Sequence, residues 1–339
     1  MIIDLRSDTV TKPTKPMLEA MFAAEVGDDV FGEDPTVIAL EQKAAKLFEK
    51  DAGLFCPSGT MTNQIAIKVH TNPGDELLCD ETAHIYNYEG GAIAFNSGVQ
   101  PKLLKGDRGR ISARQIQENI NDDFDWLPRT ALVSIENTAN KAGGSIYSKT
   151  VMQEISDVCK KNNLKFHLDG ARIFNALTET NDKPDGIGNL FDSISICLSK
   201  GLGTPAGSVL LGNKEFIYKA RRIRKVLGGG MRQAGYLAAA GIFALDNNIQ
   251  RLKNDHRRAK ELEAILKKRS FVKNIFPVET NIVIFELNEN FLVMDFIMKM
   301  FMNGIKVIPM GPQKIRMVTH LDFTDEMLEK VKDALENIK

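Results

Sequence analysis

Apolar residues in this chain fall into two patterns, and their alternation outlines the architecture. Short apolar runs bounded by Gly, Pro, Ser or Asp occur at AGLFC (52–56), ELLCD (76–80), ALVSIEN (131–137), 166–168, 193–198 and 208–211. Runs of this length read as strands buried on both faces. Between them apolar positions recur at helical period. Helices are predicted over 17–25, 112–120, 149–162 and 36–50, where Val37, Leu40, Ala44, Leu47 and Phe48 share a face and Thr36 lies near the N-cap. Strands near 133, 166, 195 and 209, separated mostly by helices, predict a largely parallel sheet with crossovers. Ligand sites of such sheets lie outside the strand carboxyl ends.

The pattern then changes. EFIYKARRIRKVLGGGMRQAGYLAAAGIFAL joins a basic helix, a Gly-rich turn and a helix of small residues. From 248 onward the chain predicts a charged helix over 250–268, a strand over 281–286, a helix over 291–302, the segments IKVIPM and KIRMVTH, and a terminal helix. The expected organisation is a large α/β domain over 1–247, opening on an irregular segment 1–35, and a small α+β domain over 248–339.

Charge narrows the function classes. Lys+Arg and Asp+Glu are both 44, so no global field draws the chain to nucleic acid or an acidic membrane. The basic cluster Lys219, Arg221, Arg222, Arg224 and Lys225 interleaves with Phe216, Ile217, Ile223 and Val226, and is expected to be the solvated face of an amphipathic helix. No apolar run approaches a bilayer span, and MIIDLRSDTVTK has no signal-like core, which predicts a cytoplasmic protein. Cys56, Cys79, Cys159 and Cys197 are widely spaced, without a CxxC pair, and are expected to be small buried hydrophobes.

A few residues carry candidate chemistry. Lys200 follows a buried strand and opens the Gly-rich turn SKGLGTPAGS; it is either a Schiff-base nucleophile or a strand-end lysine snorkelling to solvent. Pro57-Ser58-Gly59-Thr60 opens a helix running to His70, either a phosphate cup at a helix N-terminus or an ordinary cap. His84 follows ELLCD, where it either stacks on a flat ligand or hydrogen-bonds within a loop. Asp169 ends the FHLD strand and meets either a cationic ligand atom or Arg172 in an ion pair. Arg232 follows Gly228-Gly229-Gly230, and Arg316 lies within a short apolar strand, where its guanidinium needs a carboxylate. A nicotinamide fingerprint is not favoured: Gly201, Gly203 and Ala206 fit GxGxxA, but Pro205 interrupts and a strand follows.

Together these are the parts that pyridoxal phosphate chemistry requires. RSDTVTKPT, VGDDVFGEDPT, PSGTMTNQ, HLDGARIFNA, LSKGLGTPAGS and LGGGMRQAG, in this order, resemble the low-specificity L-threonine aldolases of the beta-eliminating lyase family. The match is dense from residue 2 to about 245, and VTHLD extends it weakly. The resemblance implies the aspartate aminotransferase-like fold (fold type I), with a mostly parallel seven-stranded sheet between helices and residues 1–35 near the active site. It implies retro-aldol cleavage of L-threonine or L-allo-threonine to glycine and acetaldehyde with pyridoxal 5'-phosphate, no metal, and a homotetramer built as a dimer of dimers with shared sites. Lys200 is implied as the Schiff-base lysine, Asp169 as partner of the ring nitrogen and His84 as the residue stacked on the ring. Gly59, Thr60 and Arg232 are implied at the phosphate, Arg232 from a neighbouring subunit, and Ser7, Arg172 and Arg316 at the substrate carboxylate.

One departure matters. Where the family commonly reads ENTHN, this chain reads Glu136-Asn137-Thr138-Ala139-Asn140, so a methyl group replaces the histidine implied at the substrate hydroxyl. The base role shifts toward His84 or a water, and the threo/allo preference is left open. A relative acting on another β-substituted amino acid, such as phenylserine, or eliminating a β-substituent, is the alternative. Thr62 replaces a common Gly, with minor effect expected.

Overall fold

The computed structural model describes residues 2–338. Its strands are β1 (Ile3–Asp4), β2 (Ala52–Cys56), β3 (Glu76–Asp80), β4 (Gln100–Leu104), β5 (Thr130–Glu136), β6 (Lys165–Gly170), β7 (Ser193–Cys197), β8 (Ser208–Gly212), β9 (Val272–Ile275), β10 (Ile282–Leu287), β11 (Ile305–Lys306), β12 (Ile308–Pro309) and β13 (Lys314–Val318). β2 to β8 form one seven-stranded sheet in the order β2-β8-β7-β6-β5-β3-β4. β7, β6, β5, β3 and β4 pair in parallel, and only β8 runs against its neighbours β7 and β2. Strands β3, β5, β7 and β8 are buried along their whole length, their polar positions such as Ser134, Ser193 and Ser195 included.

Helices cover the sheet where apolar residues recur on one face. In Lys149–Lys161, Met152, Ile155 and Cys159 point inward, Ser148 caps the start through Val151 N, and Lys160 and Lys161 close the last turn. The main core gathers such faces around β5 to β8, with Phe166 stacked on Phe191 at 4.3 Å. A second apolar cluster gathers residues from Ala259 to Ile338 with Ile3 and Leu5, around the four-stranded sheet β12-β13-β10-β9. No helix among the described residues is long and apolar enough to cross a membrane.

Several expectations shift. The helix expected over 17–25 is Lys15–Phe22, started by Pro16 in its first turn. The helix expected from Thr36 starts at Pro35, capped by Asp34, whose side chain accepts from Thr36 N and Val37 N. β1, β4 and β9 were not anticipated, because two-residue and half-exposed strands show no period. The basic helix, Lys214–Val226, is not wholly solvated. Arg224 is buried, paired with Asp29 at 2.7 Å and donating to Phe55 O at 2.7 Å, and Arg221 pairs with Glu41 at 2.9 Å.

Candidate active site

The site is built from the carboxyl ends of β5, β6 and β7. Side chains alternate along a strand, so His167 and Asp169 of β6 share one face while Phe166 and Leu168 enter the core on the other. Register sets Asp169 opposite Glu136 of β5 and Ser195 of β7. The helix Gly59–His70 lies across this face, its Thr62 hydroxyl 2.6 Å from Ser195 Oγ. Asp169 is 2% exposed, its Oδ1 accepting from Ala171 N at 3.1 Å and its Oδ2 from Asn63 Nδ2 at 2.9 Å.

His84 opens the short helix His84–Asn87 after β3 and is held from both sides. Its backbone N–H donates to Glu136 and its Nδ1 lies 3.0 Å from Glu89 Oε1. Burial would lower its pKa, but the Glu89 hydrogen bond and the charges of Asp169, Glu136 and Glu89 raise it above the usual value. Glu136 is pushed upward by burial and then by Asp169, against the amides of Asn140 and His84. Glu89 also accepts from Asn63 at 2.9 Å and Gln64 at 2.6 Å. The His84, Glu89 and Asp169 ligand atoms lie within 4.8 Å of one another, a spacing that would admit a cation. Asn63, however, sets an amide N–H between the two carboxylates, a donor that a metal ion would repel.

Lys200 stands just past β7, its Nζ 3.7 Å from Cys197 Sγ. Its carbonyl accepts from the Thr11 hydroxyl at 3.0 Å and from Gly203 N at 2.8 Å, which pins the turn to the N-terminal segment. Ser58 caps the neighbouring helix by accepting from Met61 N at 3.2 Å, leaving Gly59 and Thr60 in the first turn, where amides have no intrahelical partner. A Cβ on Gly59 would run into Cys197 Sγ and lie 3.6 Å from Ser208 Oγ, a buried hydroxyl without a hydrogen-bond partner. A bare helix start, an unpartnered hydroxyl and a strand-end amine together fit a phosphorylated aldehyde.

The Asp169–Arg172 pair, one of the two readings of that aspartate, does not form. Arg172 turns to Asp8, its Nε and Nη2 each 2.7 Å from a carboxylate oxygen, with both side chains buried. Arg316 lies close enough for the two guanidiniums to repel: burial first, then the Arg172 charge, lower its pKa. Its Nη1 donates to Asn140 Oδ1 and its Nη2 to Arg6 O, both at 2.9 Å, while Nε is buried without a partner. Ser7 accepts from the Thr9 hydroxyl at 2.9 Å and stands in the chain between Arg6 and Asp8, the residues that hold these two arginines. Arg232 is not brought to the Gly59–Thr60 turn of its own chain; it is half-exposed, paired with Asp28 at 2.9 Å and 5.9 Å from the Phe31 ring. Ala139 is buried with its methyl toward Gly109.

Asp8, Asn63, Glu136 and His167 were not singled out by sequence. Only His167 carried a signal, its two-residue spacing from Asp169 on a strand.

Fold and site together define a pyridoxal phosphate-dependent enzyme of fold type I. The beta-eliminating lyase family profile matches residues 4–290, and the chain belongs to that family. It is 42% identical over 331 residues to the low specificity L-threonine aldolase of Escherichia coli, covering 97% of each chain. It is 41% identical over 329 residues to low-specificity L-threonine aldolase 1 of Arabidopsis thaliana, covering 95% of this chain and 92% of that one. The Leishmania major threonine aldolase structure superposes with a TM-score of 0.86 at 21% identity, covering 98% of each chain, and so shares the fold.

Proposed function

We infer that the protein is a lyase cleaving L-threonine or L-allo-threonine to glycine and acetaldehyde. The observation that carries this is the pair Arg172 and Arg316, two buried guanidiniums near Lys200 of which Arg172 is ion-paired, to Asp8, while Arg316 has a buried Nε without a partner. That imbalance of charge supports the binding of a second carboxylate, such as that of an amino acid.

Bound pyridoxal phosphate supplies an electron sink conjugated to the substrate amine. Lys200 is the amine that would hold it. Gly59 and Thr60 offer first-turn amides to the phosphate, and Arg232 of a second copy adds its charge. Asp169 would meet the ring nitrogen, and His84 would lie against the ring. Ser7, Arg172 and Arg316 would grip the substrate carboxylate, an orientation that would select the Cα–Cβ bond as the one to break. His84, with Nδ1 engaged by Glu89, has Nε2 to accept the β-hydroxyl proton, directly or through a water.

The assembly reading is a homotetramer of paired sites. Arg232 is exposed and held by Asp28 of its own chain, and Phe22, Phe31 and Val226 are exposed at 84%, 73% and 81%. Four free, buried cysteines suit the cytoplasm.

The deciding experiment measures acetaldehyde release from L-threonine and from L-allo-threonine by the cofactor-loaded protein. Cleavage of either is expected, and their ratio reads the effect of Ala139. Loss of both, with the cofactor's absorbance intact, would overturn the threonine reading in favour of a bulkier substrate such as phenylserine.

A further inference from the structure

Behind Asp169 runs a line of polar side chains that the chemistry above does not use. Asn63 and His70 are seven residues apart on one helix, so they project from the same face two turns apart. Beneath them His167 of β6 lies in register with Ser193 of β7. The contacts follow in sequence: Asp169 Oδ2 to Asn63 Nδ2 at 2.9 Å, Asn63 Oδ1 to His167 Nε2 at 3.2 Å, His167 Nδ1 to Ser193 Oγ at 2.8 Å, and Ser193 Oγ to His70 Nε2 at 2.7 Å.

Proton counting gives this line one direction. Both amide protons of Asn63 go to carboxylates, one to Asp169 and one to Glu89. Its Oδ1 therefore accepts, and His167 Nε2 carries the proton. Burial holds the His167 pKa down at about 4, so the ring is neutral and Nδ1 is bare, accepting the Ser193 hydroxyl. With its single proton spent, Ser193 accepts from His70 Nε2. Burial also holds His70 well below its usual value, and its ring is stacked on Phe216 at 4.6 Å. Every donor points toward Asp169.

We propose that His167 is a positioning residue: backed by Ser193 and His70, it locks the Asn63 amide with N–H toward Asp169, so that this carboxylate meets the cofactor ring nitrogen purely as an acceptor. The inference rests on the role given to Asp169 above. Without the His167 donor, Asn63 can turn over, and its oxygen would then face the Asp169 and Glu89 carboxylates.

The test has two readouts. In the full chain labelled with 15N-histidine, before cofactor is added, His70 and His167 should both appear as neutral Nε2–H tautomers. With 15N-labelled pyridoxal phosphate bound, the ring nitrogen should be protonated in the wild type and in His167→Gln, whose terminal amide keeps the donor. In His167→Leu it should shift toward the unprotonated value, with cofactor affinity about tenfold weaker, the size of a lost hydrogen bond to a charged group. Ser193→Ala, which removes the donor to His167 Nδ1 and with it the acceptor of His70 Nε2, should shift it in the same direction and covers the case in which His167→Leu does not fold. A His167 that is protonated at Nδ1, or a ring nitrogen unchanged in both His167→Leu and Ser193→Ala, overturns the proposal while leaving the cofactor reading intact. Failure of the wild type to bind the cofactor, or an unprotonated wild-type ring nitrogen, overturns the Asp169 role itself and the proposal with it.

Discussion

Replacing Asp8 with Asn should unsettle the substrate end of the site more than any surface change. Asp8 is fully buried and meets Arg172 through both oxygens, with Asn281 Nδ2 a further donor at 3.2 Å. Asparagine keeps the shape but puts an NH2 group where one oxygen accepted, and leaves Arg172, with Arg316 nearby, without the carboxylate it is bonded to, Glu136 acting on it only at a distance. Breaking a buried ion pair from one side costs about 3–5 kcal/mol, because the remaining charge is stranded away from water. At about 2.1 cal/mol/K of unfolding entropy per residue, that lowers the melting temperature of a chain this long by about 4–7 °C.

The pH dependence has a definite sign. Burial would raise the Asp8 pKa, but Arg172, Lys200 and Asn281 together hold it well below the usual carboxylate range. A group depressed in the folded state contributes stability that is fully present above its unfolded value, about 3.9, and is lost as pH falls through the folded one. The gap between wild type and Asp8→Asn, measured by thermal melts followed by circular dichroism, should be flat from pH 8 to pH 5 and shrink only below about pH 4. A loss under about 1 °C at pH 7, or a gap that closes between pH 8 and pH 6, refutes the reasoning.

Lys200→Ala should abolish turnover and the cofactor's covalent absorbance band while the circular dichroism spectrum stays native; appreciable residual cleavage would remove that lysine from its role. Gly59→Ala should weaken cofactor binding because its methyl collides with Cys197 Sγ, and Cys197→Ala in the same chain should restore part of it, since Ser208 Oγ at 3.6 Å is an ordinary contact. Strictly additive effects in that cycle would show that the collision is not the cause. Arg232→Ala should raise the cofactor dissociation constant by about tenfold or more, the loss of a charge-assisted bond to phosphate. Unchanged affinity would mean that the phosphate is held without it.

What the sequence disclosed and what it hid divide along a physical line. Asp169 and Lys200 were legible because each ends a fully buried apolar run, where a charged residue needs a reason. Gly59 was legible because small residues before a helical period announce a helix start. Arg172 was noticed, with Asp169 as one possible partner and a substrate carboxylate as the other, but its protein partner was not visible. The residue three positions away in sequence was the obvious choice, whereas Asp8, 164 positions away, meets it in space. Glu136 and Asn63 sat inside an apolar run and a helix without standing out, since their work depends on what the register of β5 and β6 sets opposite them.

The N-terminal segment carries that division furthest. Residues 2–11 have no period, because two residues of strand and one short turn cannot show one, yet they link parts that the sequence pattern treats as separate. Ile3 and Asp4 pair in parallel with Ile305 and Lys306, Arg6 O receives Arg316, Asp8 holds Arg172, and Thr11 fastens the carbonyl of Lys200. Each of these partners lies at least 164 positions away along the chain, so none of the contacts is local. The placement of Arg172 and Arg316 is thereby tied to the contacts of the N-terminal segment with both the C-terminal sheet and the seven-stranded one. It follows that a change loosening β1 from β11, far from any reacting atom, should be felt first at Arg316 and Arg172, and only afterwards at Lys200.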